Sequence, residues 1–115
     1  MPELALLEGM IQGLQEEAQA RGFSRVLQVR LEVGRLSGAE VAALRFGFDV
    51  AAQDTVVEGA ELEIIEIPGS GLCHACGAEV EIQARFDLCP ACGDGFVTVT
   101  GGTELCIKDI DVEEA

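Results

Sequence analysis

Tryptophan and tyrosine are absent from this chain of 115 residues, and histidine occurs once, at His74. No Ser/His/Asp or Cys/His arrangement suited to nucleophilic catalysis stands out. Cations are scarce: seven Lys and Arg face 21 Asp and Glu, a formal net charge of −14. Such a surface repels phosphate, which excludes nucleic acid as a partner. It suits cations or a basic protein patch instead, and it also serves plain solubility. No apolar run is long enough to cross a bilayer, so no membrane association is expected. No basic region precedes the first apolar residues, and Glu3 and Glu8 interrupt them, so no signal peptide is expected either. The expected location is the cytoplasm. No glycine loop that would cradle a phosphate follows a strand.

Against these absences stand five cysteines, four of them in two pairs, Cys73/Cys76 and Cys89/Cys92. The array reads Cys-x2-Cys-x12-Cys-x2-Cys. Each pair can deliver two thiolates from one tight turn, and four thiolates at tetrahedral corners make a closed site suited to structural zinc. Gly77 and Gly93 follow the pairs, where a positive φ lets each turn fold back under a metal. Two disulfides are the rival reading, but an odd cysteine count fits a secreted framework poorly. Reduced thiols in a cytosolic chain point to metal. Iron is the alternative ion, because Cys89-Pro90-Ala91-Cys92-Gly93 also resembles a rubredoxin turn and spacing alone does not choose between the metals. Four thiolates leave no open coordination position for hydrolysis, so the chain is expected not to be an enzyme.

The remaining pattern predicts an α+β fold, with two helices packed on a small mixed β-sheet and the four-cysteine zinc-ribbon module inserted in it. Leu4, Leu7, Ile11, Leu14 and Ala18 recur at helical spacing over 4–20, and Gly22 is placed to stop that helix. Residues 25–34 alternate as a half-buried strand, with Leu27, Val29, Leu31 and Val33 on one face. Ser37 to Glu40 reads as a capping box for a second helix, whose buried face is Val41, Leu44 and Phe48. A strand over 61–67 carries a double apolar step at Ile64–Ile65, read as a bulge or burial on both faces. Residues 68–71 read as a break. Val80, Ile82, Ala84 and Phe86 alternate as one ribbon arm, and Phe96, Val97 and Val99 form the other. Residues 104–112 return to strand character. The expected domains are 1–68, completed by the returning strand 101–115, and an inserted zinc-binding domain, 69–100. The cysteine segment, about 30 residues, is too short to bury a core and would need its metal to fold.

The ordered segments carry a resemblance. Met-x-Glu-Leu leads into the first helix, and Val-Arg-Leu-Glu-Val-Gly-Arg-Leu-Ser-Gly follows at 29–38. Then come Leu-Arg-Phe-Gly-Phe-Asp-Val at 44–50, Glu-Gly-Ala-Glu-Leu-Glu-Ile at 58–64, the two cysteine pairs, and Thr-Gly-Gly-Thr-Glu-Leu at 100–105. Over nearly its whole length the chain resembles the HypA/HybF family of hydrogenase-maturation nickel metallochaperones. The resemblance implies a structural zinc ion on Cys73, Cys76, Cys89 and Cys92, and a transient nickel ion handled at the N-terminus. It implies as partners a nickel-handling maturation GTPase and the hydrogenase large-subunit precursor.

The family's chain begins Met-His-Glu, and its nickel donors include the α-amino group, the second residue's backbone nitrogen and imidazole, and nearby carboxylates. Here position 2 is Pro2. That removes an imidazole, a good nickel ligand, and an amide N–H that would have to be deprotonated. The matching donors that remain are the Met1 α-amino group, Glu3 and Glu40. Such an oxygen-rich set should hold nickel more weakly. An adaptor that keeps the zinc and has no nickel site of its own is the second reading, and a rubredoxin-like iron electron carrier the third. His74 is expected to face solvent beside the first turn, with weak metal ligation as the alternative. Cys106 is expected to be a buried, inert thiol.

Overall fold

Leu7, Ile11, Leu14 and Ala18 all lie buried along one stripe of helix α1, Pro2–Arg21. This is how a three- and four-residue apolar repeat covers a sheet. The computed structural model describes residues 2–114, with side chains from residue 3. Gly22, at φ 80°, ends α1, and its N–H donates to the Ala18 carbonyl at 2.9 Å. The other elements are β1 (Phe23–Gly34), α2 (Val41–Ala51), β2 (Glu61–Ile67), β3 (Gly69–Cys73), β4 (Glu79–Ile82), β5 (Val97–Gly101) and β6 (Leu105–Glu114). They form two three-stranded sheets, ordered β2-β1-β6 and β4-β3-β5. In the first sheet both β2 and β6 pair with β1, so the chain leaves β1's side after β2 and returns to it with β6. The whole of the second sheet lies between those two visits. The class is α+β, as expected.

The chain divides into two compact units. The first comprises residues 1–31, 39–64 and 107–115. Its core is fed by both helices and all three strands: Leu7, Ile11 and Leu14 meet Val29, Leu31, Phe48, Leu62 and Ile107 around a void of only about 10 Å³. That void is apolar and too small to hold water comfortably. On the opposite face of the sheet Arg30 reaches all three strands. Its guanidinium lies 2.6 Å from Asp109 Oδ1, 2.9 Å from Asp111 Oδ2 and 3.3 Å from Glu63 Oε2. The hydrogen bonds it donates to Asp111 and Asp109 hold its proton more tightly than usual. One cation thus gathers acids from both edge strands, which would otherwise repel across the sheet.

The second unit comprises residues 32–38 and 65–106. Its sheet is antiparallel, with Leu72 opposite Glu79 in β4 and Cys73 opposite Val97 in β5. Residues 34–36 join this unit through backbone bonds: Gly34 N–H to Glu104 O (2.6 Å), Arg35 N–H to Ile67 O (2.9 Å) and Leu36 N–H to Gly102 O (2.7 Å). The double apolar step at Ile64–Ile65 falls where the chain passes from the first unit to the second, and both isoleucines are half-buried.

Four local expectations are corrected. Leu27 is 44% exposed and Val26 is fully buried instead. Here the Val26 N–H donates to Val56 O, and the alternation of β1 slips by one residue. Ser37 does not open α2: Glu40 is the N-cap, in extended conformation and without a side-chain cap bond, while the Ser37 N–H closes a turn on Gly34 O. Residues 69–71 are not a break but the start of β3, the central strand. A Cβ at Gly71 would collide with Val97 and with the Thr98 carbonyl at 2.8 Å, so glycine here permits close strand approach. The arm after β4 ends at Ile82, because the Asp87 carboxylate accepts the N–H groups of Gln83 and Ala84, both at 3.1 Å, and turns the chain.

The slip in β1 makes two leucines separable. Leu31→Ala, in β1 at a site only 1% exposed, should cost about 3 kcal/mol of unfolding free energy in urea titrations. Leu27→Ala should cost under about 1 kcal/mol. Equal losses would refute the register described.

Candidate metal centre

The two cysteine turns are built alike. In the first, the Gly77 N–H donates to Cys73 O at 3.0 Å, and in the second the Gly93 N–H donates to Cys89 O at 2.8 Å. Both glycines have positive φ, 74° and 90°, which a side chain would resist. The turns then aim N–H groups at sulfur. Cys73 Sγ accepts from Ala75 (3.3 Å) and Cys76 (3.4 Å), and Cys89 Sγ accepts from Ala91 (3.3 Å). Such bonds favour thiolate over thiol. The Cys76 amide is the main reason the Cys73 thiol is held down at about 6. At Cys76 the Ala78 amide acts downward. Hydrogen bonding with Cys73, burial, and the sulfurs of Cys89 and Cys92 outweigh it and push that thiol up to about 11.

All four sulfurs lie within 4.8 Å of one another. Cys73 and Cys92 are 3.7 Å apart, and Cys76 and Cys89 are 3.8 Å apart. A metal with bonds of about 2.3 Å to four tetrahedral sulfurs requires sulfur–sulfur edges of roughly 3.8 Å. The donor set therefore suits zinc, with no bond between the sulfurs; all five cysteines are free thiols. Cys73 and Cys89 are buried, whereas Cys76 and Cys92 are exposed.

Gly95 completes the site and was not singled out in the sequence. A Cβ there would collide with Cys73 Sγ and would stand 2.9 Å from Ala75 Cβ and 3.2 Å from Cys92 Sγ. Its carbonyl also accepts the Cys89 N–H at 3.1 Å. The signal available in the sequence was a second glycine two residues beyond the turn glycine Gly93.

His74 is exposed and hydrogen-bonds the Thr98 hydroxyl, apart from the sulfur cluster. Cys106 is exposed, which corrects the expected burial: strand alternation places it opposite the half-buried Leu105 and Ile107, 3.7 Å from Glu32 Oε1. Desolvation, with Glu32 and Glu104 adding their charge, pushes its thiol up, so it stays protonated and a poor nucleophile. Of the expected nickel donors, Met1 lies outside the described residues. Glu3 is half-buried in the first turn of α1, and Glu40 is exposed at the start of α2. Among the described residues, the four cysteines are the only group of three or more ligating side chains close enough to share an ion.

A family profile described as "Hydrogenase/urease nickel incorporation, metallochaperone, hypA" matches residues 1–112. The hydrogenase maturation factor HypA of Alkalilimnicola ehrlichii is 51% identical over 113 residues, covering 98% of this chain and 100% of that protein. The protein of the same name from Rhodobacter capsulatus is 47% identical over 112 residues, covering 97% and 99%. The solution structure of the nickel metallochaperone HypA from Helicobacter pylori superposes with a TM-score of 0.68 at 18% identity, covering 98% of each chain. At that identity the superposition establishes the fold alone. No helix among the described residues is long and apolar enough to cross a membrane.

Gly95→Ala should overpack the cluster by about 1–3 kcal/mol, weakening zinc roughly 5- to 150-fold in chelator competition. Gly13→Ala, where nothing lies within 4 Å of a Cβ, should leave zinc affinity unchanged. Unaltered zinc affinity in Gly95→Ala would show that the four sulfurs do not meet as described.

Proposed function

The chain belongs to the HypA family of hydrogenase/urease nickel-incorporation metallochaperones, and from that membership we propose that it assists nickel insertion into nickel–iron hydrogenase during maturation. The observation that carries this reading is the match of the family profile across residues 1–112, with the four cysteines converged on one point. The ion on Cys73, Cys76, Cys89 and Cys92 is structural zinc, and residues 69–100 form the module it organises. The nickel side belongs to residues 1–68 with 101–115. Its partners are the nickel-handling GTPase of the pathway and the large-subunit precursor, and its place of work is the cytoplasm. The chain catalyses no reaction of its own, since a closed tetrathiolate offers no open position to a substrate.

Nickel is cargo and has to be released, so exposed, low-affinity coordination serves a carrier better than a closed cage. The donors available are the Met1 α-amino group, Glu3 and Glu40. Pro2 withholds both an imidazole and an ionisable amide nitrogen from them. That same substitution favours a second reading, in which the chain acts as a zinc-organised adaptor and leaves nickel binding to its partners.

Elemental analysis of the protein as purified should give one zinc per chain. In calorimetry, Pro2→His should tighten nickel at least about tenfold, or about 1.4 kcal/mol. Absence of zinc would overturn the assignment of the four-cysteine site. A wild-type chain that gives no heat with micromolar nickel, alongside a Pro2→His chain that binds it, would exclude direct carriage and leave the adaptor.

A further inference from the structure

Phe86 is 97% exposed, and it is held that way. Its φ of 69° lies in the left-handed region, which bulky side chains avoid. The turn that enforces this is tied by the Asp87 carboxylate, which accepts the Gln83 and Ala84 N–H groups, and by the Asp87 N–H to Ala84 O at 3.3 Å. A strained backbone maintained by specific bonds marks a position with a task. Leu88, 54% exposed, follows two residues later, and Phe96 is 80% exposed. Leu88 and Phe96 adjoin because the Cys89 N–H donates to Gly95 O, which joins the strand of chain after Leu88 to that before Phe96. Phe86 precedes Leu88 by two residues, so three large exposed apolar side chains fall in the two neighbouring stretches of chain on either side of that bond. Exposed apolar groupings of this kind mark contact surfaces.

Charge selects the occupant. Asp87 and Asp94 outnumber Arg85 in this segment, and a dication bound by four thiolates contributes two further negative charges. An anionic lipid surface is repelled, and so is a second copy of a chain whose net charge is −14. We propose that Phe86, Leu88 and Phe96 form a docking tip that enters an apolar pocket rimmed by lysine and arginine on a partner protein of the maturation pathway. The tip acts as a preformed anchor, since the turn that presents Phe86 is tied by its own hydrogen bonds. The proposal rests on the function inferred above for the identity of that partner.

The test titrates the zinc-loaded full chain against nickel-free hydrogenase large-subunit precursor and, separately, against the maturation GTPase. Phe86→Gly is the informative variant, because glycine keeps the left-handed backbone and deletes only the ring. Zinc content and melting temperature should be unchanged, while affinity for one of the two partners falls tenfold or more and weakens further with added salt. Should Phe86→Gly lose zinc, Phe96→Ser decides by the same criterion. Unchanged affinity for both partners would overturn the docking tip and leave the proposed function standing. A wild-type chain that binds neither partner would overturn both. A wild-type dimer in sedimentation that Phe86→Gly converts to monomer would assign the tip to self-contact and overturn the proposal.

Discussion

Two backbone turns must deliver four sulfurs to one point, and the second unit of this protein depends on that convergence. The buried side chains it commands are few: Val33, Leu36 and Ile82, beside Cys73 and Cys89 themselves. So little apolar burial does not offset the entropy of ordering such a segment. A metal bound by the four thiolates would supply the difference, and its binding energy would become folding energy. The first unit works on the opposite principle. Leu7, Ile11, Val26, Leu31, Leu44 and Val57 are almost wholly removed from water, so apolar burial does the work there. Two sources of stability, burial in one unit and coordination at the four sulfurs of the other, would thus serve one short chain.

What the sequence made legible was local chemistry with a fixed period. The cysteine spacing, the turn glycines Gly77 and Gly93, the stripe of α1 and the buried face of α2 at Leu44 and Phe48 each follow from neighbours a few residues away. The misread positions are those where a distant partner decides. Val26 replaces Leu27 in the core because of a bond to Val56, thirty residues on. Gly71 resembles a breaker until Val97 and Thr98 are seen pressing on it. Phe86 completes an alternating pattern that the carboxylate of Asp87 interrupts. Cys106 resembles core until its side of the strand is known. Gly95 carried a faint signal, but Cys73, which it touches, lies 22 residues back along the chain.

Membership of a family and possession of its donor set are distinct properties. Membership here is written across almost the entire length, in helices, strands and paired cysteines. The proposed cargo chemistry would hang on a very few atoms near one terminus, where this chain carries Pro2. Acidic composition gives the same lesson at larger scale. A surplus of carboxylates is tolerated on the outer face of the first sheet because Arg30 draws Glu63, Asp109 and Asp111 to itself. Net charge is thus arranged, not merely accumulated.

The sulfur cluster has an inside and an outside. Cys73 and Cys89 are enclosed and held by amide groups, while Cys76 and Cys92 meet solvent. An incoming chelator or competing soft ion therefore has one direction of approach. Exchange would proceed by replacing the two outer thiolates first, with the inner pair acting as an anchorage that keeps the ion in place until the last bond is broken.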